Sequence, residues 1–312
     1  MYAPIFIVGC ERSGTTLLRL ILNQSPELHI PGESWFLKKL NANHEVYGDF
    51  SKPYQRWFFI RDLQLNNATQ DTYTFDIFQL SIDEAEKVIE DVSPTDFFGA
   101  SSALFQASAC KHGKQRWADK TPRHVIQLQW LANAYPSAKF VHVIRDGRDV
   151  ALSLVKAGWA NNIQEAAGRW QQRVRSGIDE GRKLRSTRYY ELQYESLVTQ
   201  PEAVLKDLCH WVDIEYSSKM LQHHSQATEH INRDWHLHEM VAKPISSDHA
   251  YKWKKKLTNL QIAEIEGVAG VMLEELGYEL ASKAIFQLSD KIRRYSTKIS
   301  KKASHYILNY QT

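Results

Sequence analysis

The chain has 312 residues with a formal net charge of +3, and apolar residues make up 43% of it. This length fits one α/β domain with insertions. No run of about 18 apolar residues offers a membrane-spanning helix. The net charge of residues 1–282 is weak, which excludes a strongly basic nucleic-acid-binding protein. The widely spaced Cys10, Cys110 and Cys209 match neither a metal-ligand pattern nor an even disulfide set, which favours a reducing compartment.

A short apolar run and a glycine-bounded turn open the chain. Residues 5–8 predict a buried parallel strand, a glycine ends it, and apolar residues at helical spacing follow from Leu17. Residues 9–16, GCERSGTT, nearly match the phosphate loop G-x-x-x-x-G-K-[ST]. Thr15 stands in place of the lysine that reaches the β- and γ-phosphates, which disfavours ATP or GTP chemistry. Arg12 supplies a cation instead, and the backbone N–H groups of such a loop favour an anion.

The next segment is rich in aromatic residues. Residues 23–26 break the first helix, and residues 29–36 are predicted to form a loop. Six aromatic side chains lie between Tyr47 and Arg61, and they predict either core packing or the wall of a binding site. Helices are predicted over residues 81–91, with a serine as N-terminal cap, and over residues 94–110.

Strands and helices alternate in the second half of the chain. Strands are predicted over residues 116–121, 139–144 and 188–192. Helices are predicted from Pro122 to Tyr135, from the turn at residues 146–149 to Lys156, over residues 163–184, and from Tyr194 to Trp211. This alternation predicts a parallel α/β sheet with right-handed crossovers. Such sheets bind ligands at the carboxyl ends of their strands, where the loops after Val8, Ala118 and Ile144 should meet.

The loop resembles the 5′-phosphosulfate-binding loop of sulfotransferases, which use 3′-phosphoadenosine 5′-phosphosulfate (PAPS). The form that bacterial sulfotransferases share with tyrosylprotein sulfotransferases reads P-R-S-G-T-T, and here Glu11 replaces the proline. Since Glu11 puts a carboxylate beside an anion site, we expect its side chain to point away from the phosphosulfate. The resemblance implies that the phosphosulfate is bound by Arg12, Ser13, Gly14, Thr15 and Thr16.

A second stretch, Lys139 to Ser153, reads KFVHVIRDGRDVALS and resembles the 3′-phosphate-binding motif of the same family. The resemblance implies that Arg145 and Ser153 hold the 3′-phosphate, and an arginine fork does suit a phosphate. Tyr194 matches a family tyrosine that approaches the nucleotide. Lys252 in the pair Lys-Trp matches a phosphate-binding lysine, although a solvated position in the basic run KWKKK, residues 252–256, is the alternative.

Glu33 is the candidate general base. In tyrosylprotein sulfotransferases a glutamate stands 21 residues after the loop arginine, which is the spacing from Arg12 to Glu33. A carboxylate within hydrogen-bond reach can take the proton of an acceptor hydroxyl. His29 is the rival base, and His124 and His142 are weaker rivals.

Lys120 matches a family lysine placed against the transferring group. A cation there offsets the charge that develops on the bridging oxygen, and Arg12 would share that task. Sulfuryl transfer carries less charge than phosphoryl transfer, so no Mg²⁺ is required and no metal site is expected. The histidine-rich residues 223–249 leave two interpretations, a zinc site or a lid over the nucleotide.

We therefore predict one sulfotransferase domain over residues 1–282, with a P-loop-like parallel sheet flanked by helices and with helical insertions. It is expected to transfer the sulfuryl group from PAPS to an acceptor hydroxyl. The acceptor stays open among a saccharide, a lipid, a natural product and a peptide tyrosine, and the oligomeric state is open too. The alternatives are a P-loop kinase, which the missing lysine disfavours, and a non-catalytic nucleotide-binding module, which the presence of Glu33 and Lys120 disfavours.

Residues 283–312 predict a basic amphipathic C-terminal helix with seven lysine and arginine residues against one aspartate. Three interpretations stay open: packing on the domain, contact with an anionic membrane, and attraction of an acidic acceptor or partner. The first strand starts within four residues of Met1, so we expect neither a signal peptide nor a membrane anchor. The expected location is the cytoplasm of a bacterium, with peripheral membrane contact through the tail as one option.

Overall fold

The computed structural model describes residues 2–41, 46–65, 75–225 and 243–281. Its strands are Ile5–Gly9 (β1), Leu28–His29 (β2), Arg116–Lys120 (β3), Lys139–Ile144 (β4) and Tyr189–Gln193 (β5). They form one five-stranded sheet in the order β2-β3-β1-β4-β5, and every neighbouring pair is parallel. The predicted parallel α/β sheet is confirmed.

The central strand β1 explains where the site forms. Its sequence, IFIVG, is apolar throughout and all five residues are buried, as is typical of a parallel strand covered on both faces. Ile5 pairs with Ala118 of β3 on one side and with Lys139 of β4 on the other. Because the three strands run in the same direction, their carboxyl ends lie at one edge of the sheet. Gly9 ends β1 and Lys120 ends β3 at this edge.

The helices between β1 and β3 include two that the sequence located well. These helices are Thr15–Leu22 (α1), Trp35–Asn41 (α2), Pro53–Leu65 (α3), Ile82–Val92 (α4) and Phe97–Lys111 (α5). The predicted cap of α4 is confirmed, because the Ser81 hydroxyl accepts the Glu84 N–H at 3.1 Å and the Glu84 carboxylate accepts the Ser81 N–H at 2.6 Å. Asp96 caps α5 through a single hydrogen bond, in which its carboxylate accepts the Gly99 N–H at 2.7 Å.

The later helices up to residue 212 follow the predicted order with two differences, and the two helices after it were not predicted. The later helices are Leu128–Ala134 (α6), Gly147–Lys156 (α7), Ile163–Gly181 (α8), Tyr194–Thr199 (α9), Pro201–Val212 (α10), Trp253–Lys256 (α11) and Asn259–Glu275 (α12). The segment Pro122–Gln127 is a 3-10 helix rather than the start of α6. The region from Tyr194 onward is two helices, because a residue that precedes a proline is driven out of the helical conformation and Gln200 has φ −133°.

The aromatic segment around α3 has two faces. Tyr47, Phe50 and Phe59 are buried in the main core, which makes the core interpretation correct for them. Tyr54, Trp57 and Phe58 are exposed instead. For these three side chains the binding-wall interpretation stays a prediction.

The chain divides into two compact units. The first contains Met1–Ile144 and Ser176–Ser247, and the second contains Arg145–Arg175 and Asp248–Thr312. The sheet belongs to the first unit, whereas α7, α11 and α12 belong to the second. The predicted C-terminal helix and most of the histidine-rich segment lie outside the described residues. Within the described ranges, no helix is long and apolar enough to cross a bilayer.

Candidate active site

The loop between β1 and α1 has an unusual backbone. Arg12 has φ +70° and Gly14 has φ +98°, so both lie in the left-handed region, which costs a non-glycine residue free energy. Gly14 is the N-cap of α1, where no side chain caps the helix and no acidic residue occupies the first turn. The first N–H groups of a helix have no partner inside it, so this end of α1 favours an anion.

The predicted loop residues also leave a polar atom without a partner. The Ser13 side chain is fully buried, and its Oγ has no hydrogen-bond partner among the described residues. A Cβ atom on Gly14 would lie 2.4 Å from Cδ2 of Tyr194, so the tyrosine ring covers the loop at a position where only glycine fits. A buried hydroxyl and a glycine-shaped cradle at a helix N-terminus both fit a bound phosphosulfate.

Three residues far apart in the chain meet beside the loop. The Lys120 ammonium contacts Glu33 Oε1 and lies 3.3 Å from Thr16 Oγ1. The Lys120 side chain is only 3% exposed, whereas the Glu33 side chain is 26% exposed. Burial lowers the pKa of Lys120, and the Glu33 carboxylate opposes this shift. The structure thus places Glu33, the candidate base, in contact with Lys120, the candidate charge-stabilising cation, at the edge of the loop.

The segment that carries Glu33 is fixed to the end of β3. The Ser34 N–H donates to Thr121 Oγ1 at 2.8 Å, and the Thr121 hydroxyl donates to Asp119 Oδ1 at 3.0 Å. The other Asp119 oxygen lies 3.1 Å from His124 Nδ1. This buried chain of hydrogen bonds holds Glu33 in place, and it gives His124 a structural contact.

Arg19 is a site neighbour that the sequence did not predict. Its Nε donates to the Ile30 carbonyl at 3.1 Å, just before the segment that carries Glu33. Burial lowers the pKa of Arg19 to about 10, although the carboxylates of Glu33 and Asp119 act to raise it. A single charge within the apolar helix sequence TTLLRLIL was the available signal for this position.

The rival histidines are buried within the fold. His29 Nε2 lies 3.2 Å from Ser108 Oγ. His142 Nδ1 lies 2.7 Å from the Tyr189 hydroxyl inside the sheet, and burial lowers the pKa of His142 to about 3. The glutamate candidate is by contrast partly exposed and paired with the buried lysine; that it acts as the base stays a prediction.

Glu11, which replaces the family's proline, lies near a cation. Its Oε1 is 3.8 Å from Nε of Arg123, and its side chain is 15% exposed. The Arg123 guanidinium also lies 5.6 Å from the ring centroid of Trp35. The positive charge of Arg123 therefore offsets the carboxylate at the loop. That Glu11 points away from the phosphosulfate stays a prediction.

The residues predicted to bind the 3′-phosphate lie in the second unit. Arg145 directly follows β4; its Nη2 donates to the His249 carbonyl at 2.7 Å and lies 3.5 Å from Asp149 Oδ2. Ser153 lies on α7, and Lys252 directly precedes α11. Burial lowers the pKa of Lys252, and the positive charge of Arg145 lowers it further. Two cations that repel each other in this way favour a bound anion.

Curated relatives of this chain are protein-tyrosine sulfotransferases. The Protein-tyrosine sulfotransferase A of Caenorhabditis elegans is 25% identical over 289 residues, which cover 88% of this chain and 67% of that protein. The Protein-tyrosine sulfotransferase 1 of Danio rerio is 23% identical over 287 residues, covering 88% and 72%.

Solved structures share the fold. The Sulfotransferase Domain from the Synechococcus PCC 7002 Olefin Synthase has a TM-score of 0.59 at 22% identity and covers 90% of this chain and 97% of that one. The Sulfotransferase Domain from the Curacin Biosynthetic Pathway also has a TM-score of 0.59, at 18% identity, with 90% and 99% covered. The model of the Sulfotransferase family matches residues 4–218. The chain therefore belongs to the sulfotransferase family.

Proposed function

We propose that this protein transfers the sulfuryl group of PAPS to an acceptor hydroxyl. Family membership supports sulfuryl transfer. The observation that carries the proposal is the contact of Lys120 with Glu33 and Thr16 beside the anion-binding loop. This contact joins a base, a cation and a phosphate-type loop, which are the parts that sulfuryl transfer needs.

Bound PAPS would supply an activated sulfuryl group on its 5′-phosphate. The loop residues hold that end through Arg12, Ser13, Gly14, Thr15 and Thr16. Ser13 would donate its unpartnered hydroxyl there, and Tyr194 covers the loop beside the nucleotide. Arg145, Ser153 and Lys252 hold the 3′-phosphate through charge-assisted hydrogen bonds.

Different side chains accept the proton and stabilise the negative charge that the reaction produces. Glu33 is exposed enough to meet an acceptor hydroxyl, and it takes the proton as the acceptor oxygen bonds to sulfur. The bond from sulfur to the 5′-phosphate oxygen breaks, and the charge on that oxygen is met by Lys120. An ammonium group has three N–H donors. Glu33 and Thr16 use two of them, which leaves one for this oxygen, and Arg12 shares the task.

We propose a tyrosyl hydroxyl of a peptide as the first acceptor to examine. The named relatives are protein-tyrosine sulfotransferases, and they support this choice over a saccharide, a lipid or a natural product.

The test measures transfer of labelled sulfuryl from PAPS to a panel of hydroxyl acceptors, led by a tyrosine peptide, with labelled ATP as the competing donor. We expect transfer from PAPS and none from ATP. Glu33→Gln should keep its affinity for 3′-phosphoadenosine 5′-phosphate and lose about 10²–10⁴-fold in turnover, the usual effect of losing a general base.

Glu274→Gln is the matched control, because it removes an exposed carboxylate from α12 and should leave turnover unchanged. Phosphoryl transfer from ATP would instead establish the kinase alternative. Wild-type turnover in Glu33→Gln, together with loss of turnover in His29→Ala, would move the role of base to His29.

A further inference from the structure

An arginine that the proposed mechanism does not use is buried in the second unit. Arg148 is 1% exposed. Its Nε and Nη2 donate to the two carboxylate oxygens of Asp146 at 2.9 and 2.8 Å. Its Nη1 donates to Glu266 Oε1 at 2.7 Å and to the Glu279 carbonyl at 2.8 Å. The two carboxylates more than balance the single positive charge, so Arg148 itself has no charge to offer a ligand.

Trp253 is fixed to the same arginine. Its ring centroid lies 3.7 Å from the Arg148 guanidinium carbon, and its indole N–H donates to Asp146 Oδ2 at 2.9 Å. The Trp253 backbone N–H donates to Asp149 Oδ1 at 2.8 Å. We call Asp146, Arg148, Trp253 and Glu266 the Arg148 cluster. Each member is nine-tenths or more buried, and together they join the start of α7 to α11 and α12.

The two cations predicted to bind the 3′-phosphate flank this cluster in sequence. Arg145 precedes Asp146, and Lys252 precedes Trp253. The Arg145 guanidinium is also tied to the His249 carbonyl, at 2.7 Å. Residues 145–149 and 249–253 are therefore connected at both ends, so the two segments that carry these cations are held together beside the cluster.

We propose that the Arg148 cluster holds Arg145 and Lys252 together as one two-cation site for the 3′-phosphate. Arg148 is then a positioning residue, and the inference rests on the proposed function. Two neighbouring like charges would separate if their backbones were free, because separation lowers their repulsion. A buried, hydrogen-bonded network resists that separation, and the doubly charged 3′-phosphate then gains from both cations at once.

The test compares the dissociation constants of 3′-phosphoadenosine 5′-phosphate and of adenosine 5′-monophosphate, which differ only in the 3′-phosphate. The ratio of the two constants, measured by calorimetry, reports recognition of that group alone. In Arg148→Lys, which keeps the charge and loses the two-pronged contact with Asp146, we expect the ratio to fall about tenfold. In Trp253→Phe, which removes the indole N–H, we expect a fall of about threefold.

Arg175→Lys is the matched control, because Arg175 forms a half-exposed ion pair with Glu275 in the same unit; its ratio should equal that of the wild type. If the wild type does not distinguish the two ligands, the proposed donor site is wrong. If the wild type distinguishes them but both variants keep its ratio, or lose affinity for both ligands equally, the positioning role is overturned and the donor site stands. If Arg148→Lys does not fold, the ratio measured for Trp253→Phe alone tests the positioning role.

Discussion

At the scale of single residues, Glu11 needs a compensating charge. A carboxylate inside an anion-binding loop repels the anion, yet the loop carries one where related loops carry proline. Arg123, at 3.8 Å, supplies the opposite charge from the 3-10 helix after β3. The pair is partly exposed, so its energy is small and depends on ionic strength.

We predict that Arg123→Ala weakens the binding of 3′-phosphoadenosine 5′-phosphate by about 0.5–1 kcal/mol, because the Glu11 charge then acts on the ligand unopposed. In a Glu11→Gln background the same substitution should cost clearly less. Calorimetry on the four proteins of this double-mutant cycle gives the coupling directly. An equal cost in both backgrounds would mean that Arg123 acts on the ligand by itself.

At the scale of elements, the loop, α1 and the start of α9 depend on one glycine. Gly14 combines a left-handed backbone with a Tyr194 ring that occupies the space of a Cβ atom. Gly277 offers a comparison within the same chain: its φ is +82°, but nothing lies within 4 Å of a Cβ atom built there.

Gly14→Ala should therefore lower the free energy of unfolding by about 2–3 kcal/mol, since it adds a clash with the ring to the backbone strain. Gly277→Ala, which carries only the strain, should cost about 1 kcal/mol. Denaturant unfolding of both variants separates the two contributions. Equal losses of unfolding free energy in the two variants would show that the Tyr194 ring moves aside for a methyl group at no cost in free energy.

Elements whose signal is local could be predicted. The continuous apolar runs of β1 and β4 and the cap at Ser81 each follow from a few neighbouring residues. The two-residue strand β2 could not, because it is too short to show a period and exists only through pairing, as in Leu28 with Arg116. Instead, the sequence predicted a loop from His29 onward.

The site residues also divide into those that a local motif predicts and those that depend on contacts between distant residues. Motif spacing was enough to propose Glu33 and Lys120. Their contact could not be predicted, because it joins distant parts of the chain that only the folded structure brings together. The sequence RDGR is typical of a surface turn, in which Asp146 and Arg148 would form an exposed salt bridge. It is buried instead, because Glu266 and Trp253 come from segments over a hundred residues later.

At the scale of the whole molecule, His142 links stability to pH. It lies fully buried in the middle of the sheet, with the Tyr189 hydroxyl at 2.7 Å. A Cβ atom on Gly177 would lie 2.5 Å from His142 Cε1, which shows how tightly α8 closes over the ring. Burial, aided by the charge of Arg182, lowers the pKa of His142 from 6.5 to about 3.

Between these two values the unfolded chain binds a proton at His142 and the folded chain does not. The free energy of unfolding should therefore fall as the pH is lowered through this range, by about 1.4 kcal/mol per pH unit from this residue alone. Above pH 6.5 both states are neutral there and the contribution is constant.

His142→Gln keeps a polar group beside Tyr189 and does not titrate. Denaturant unfolding at pH 7 and pH 5 should show a loss that is smaller by about 2 kcal/mol in the variant than in the wild type. The same loss in both proteins would mean that His142 is protonated in the folded state.

The place of β1 in the sheet has a consequence for how the protein acquires its activity. Ile5 pairs with Ala118 and Lys139, so a chain synthesised from its amino end exposes the apolar strand long before either partner exists. Closing such long loops costs entropy before any contact repays it. We therefore expect the phosphate loop to form late in folding, and until then the nascent chain carries β1 as an unpaired apolar strand, a kind of segment that favours aggregation.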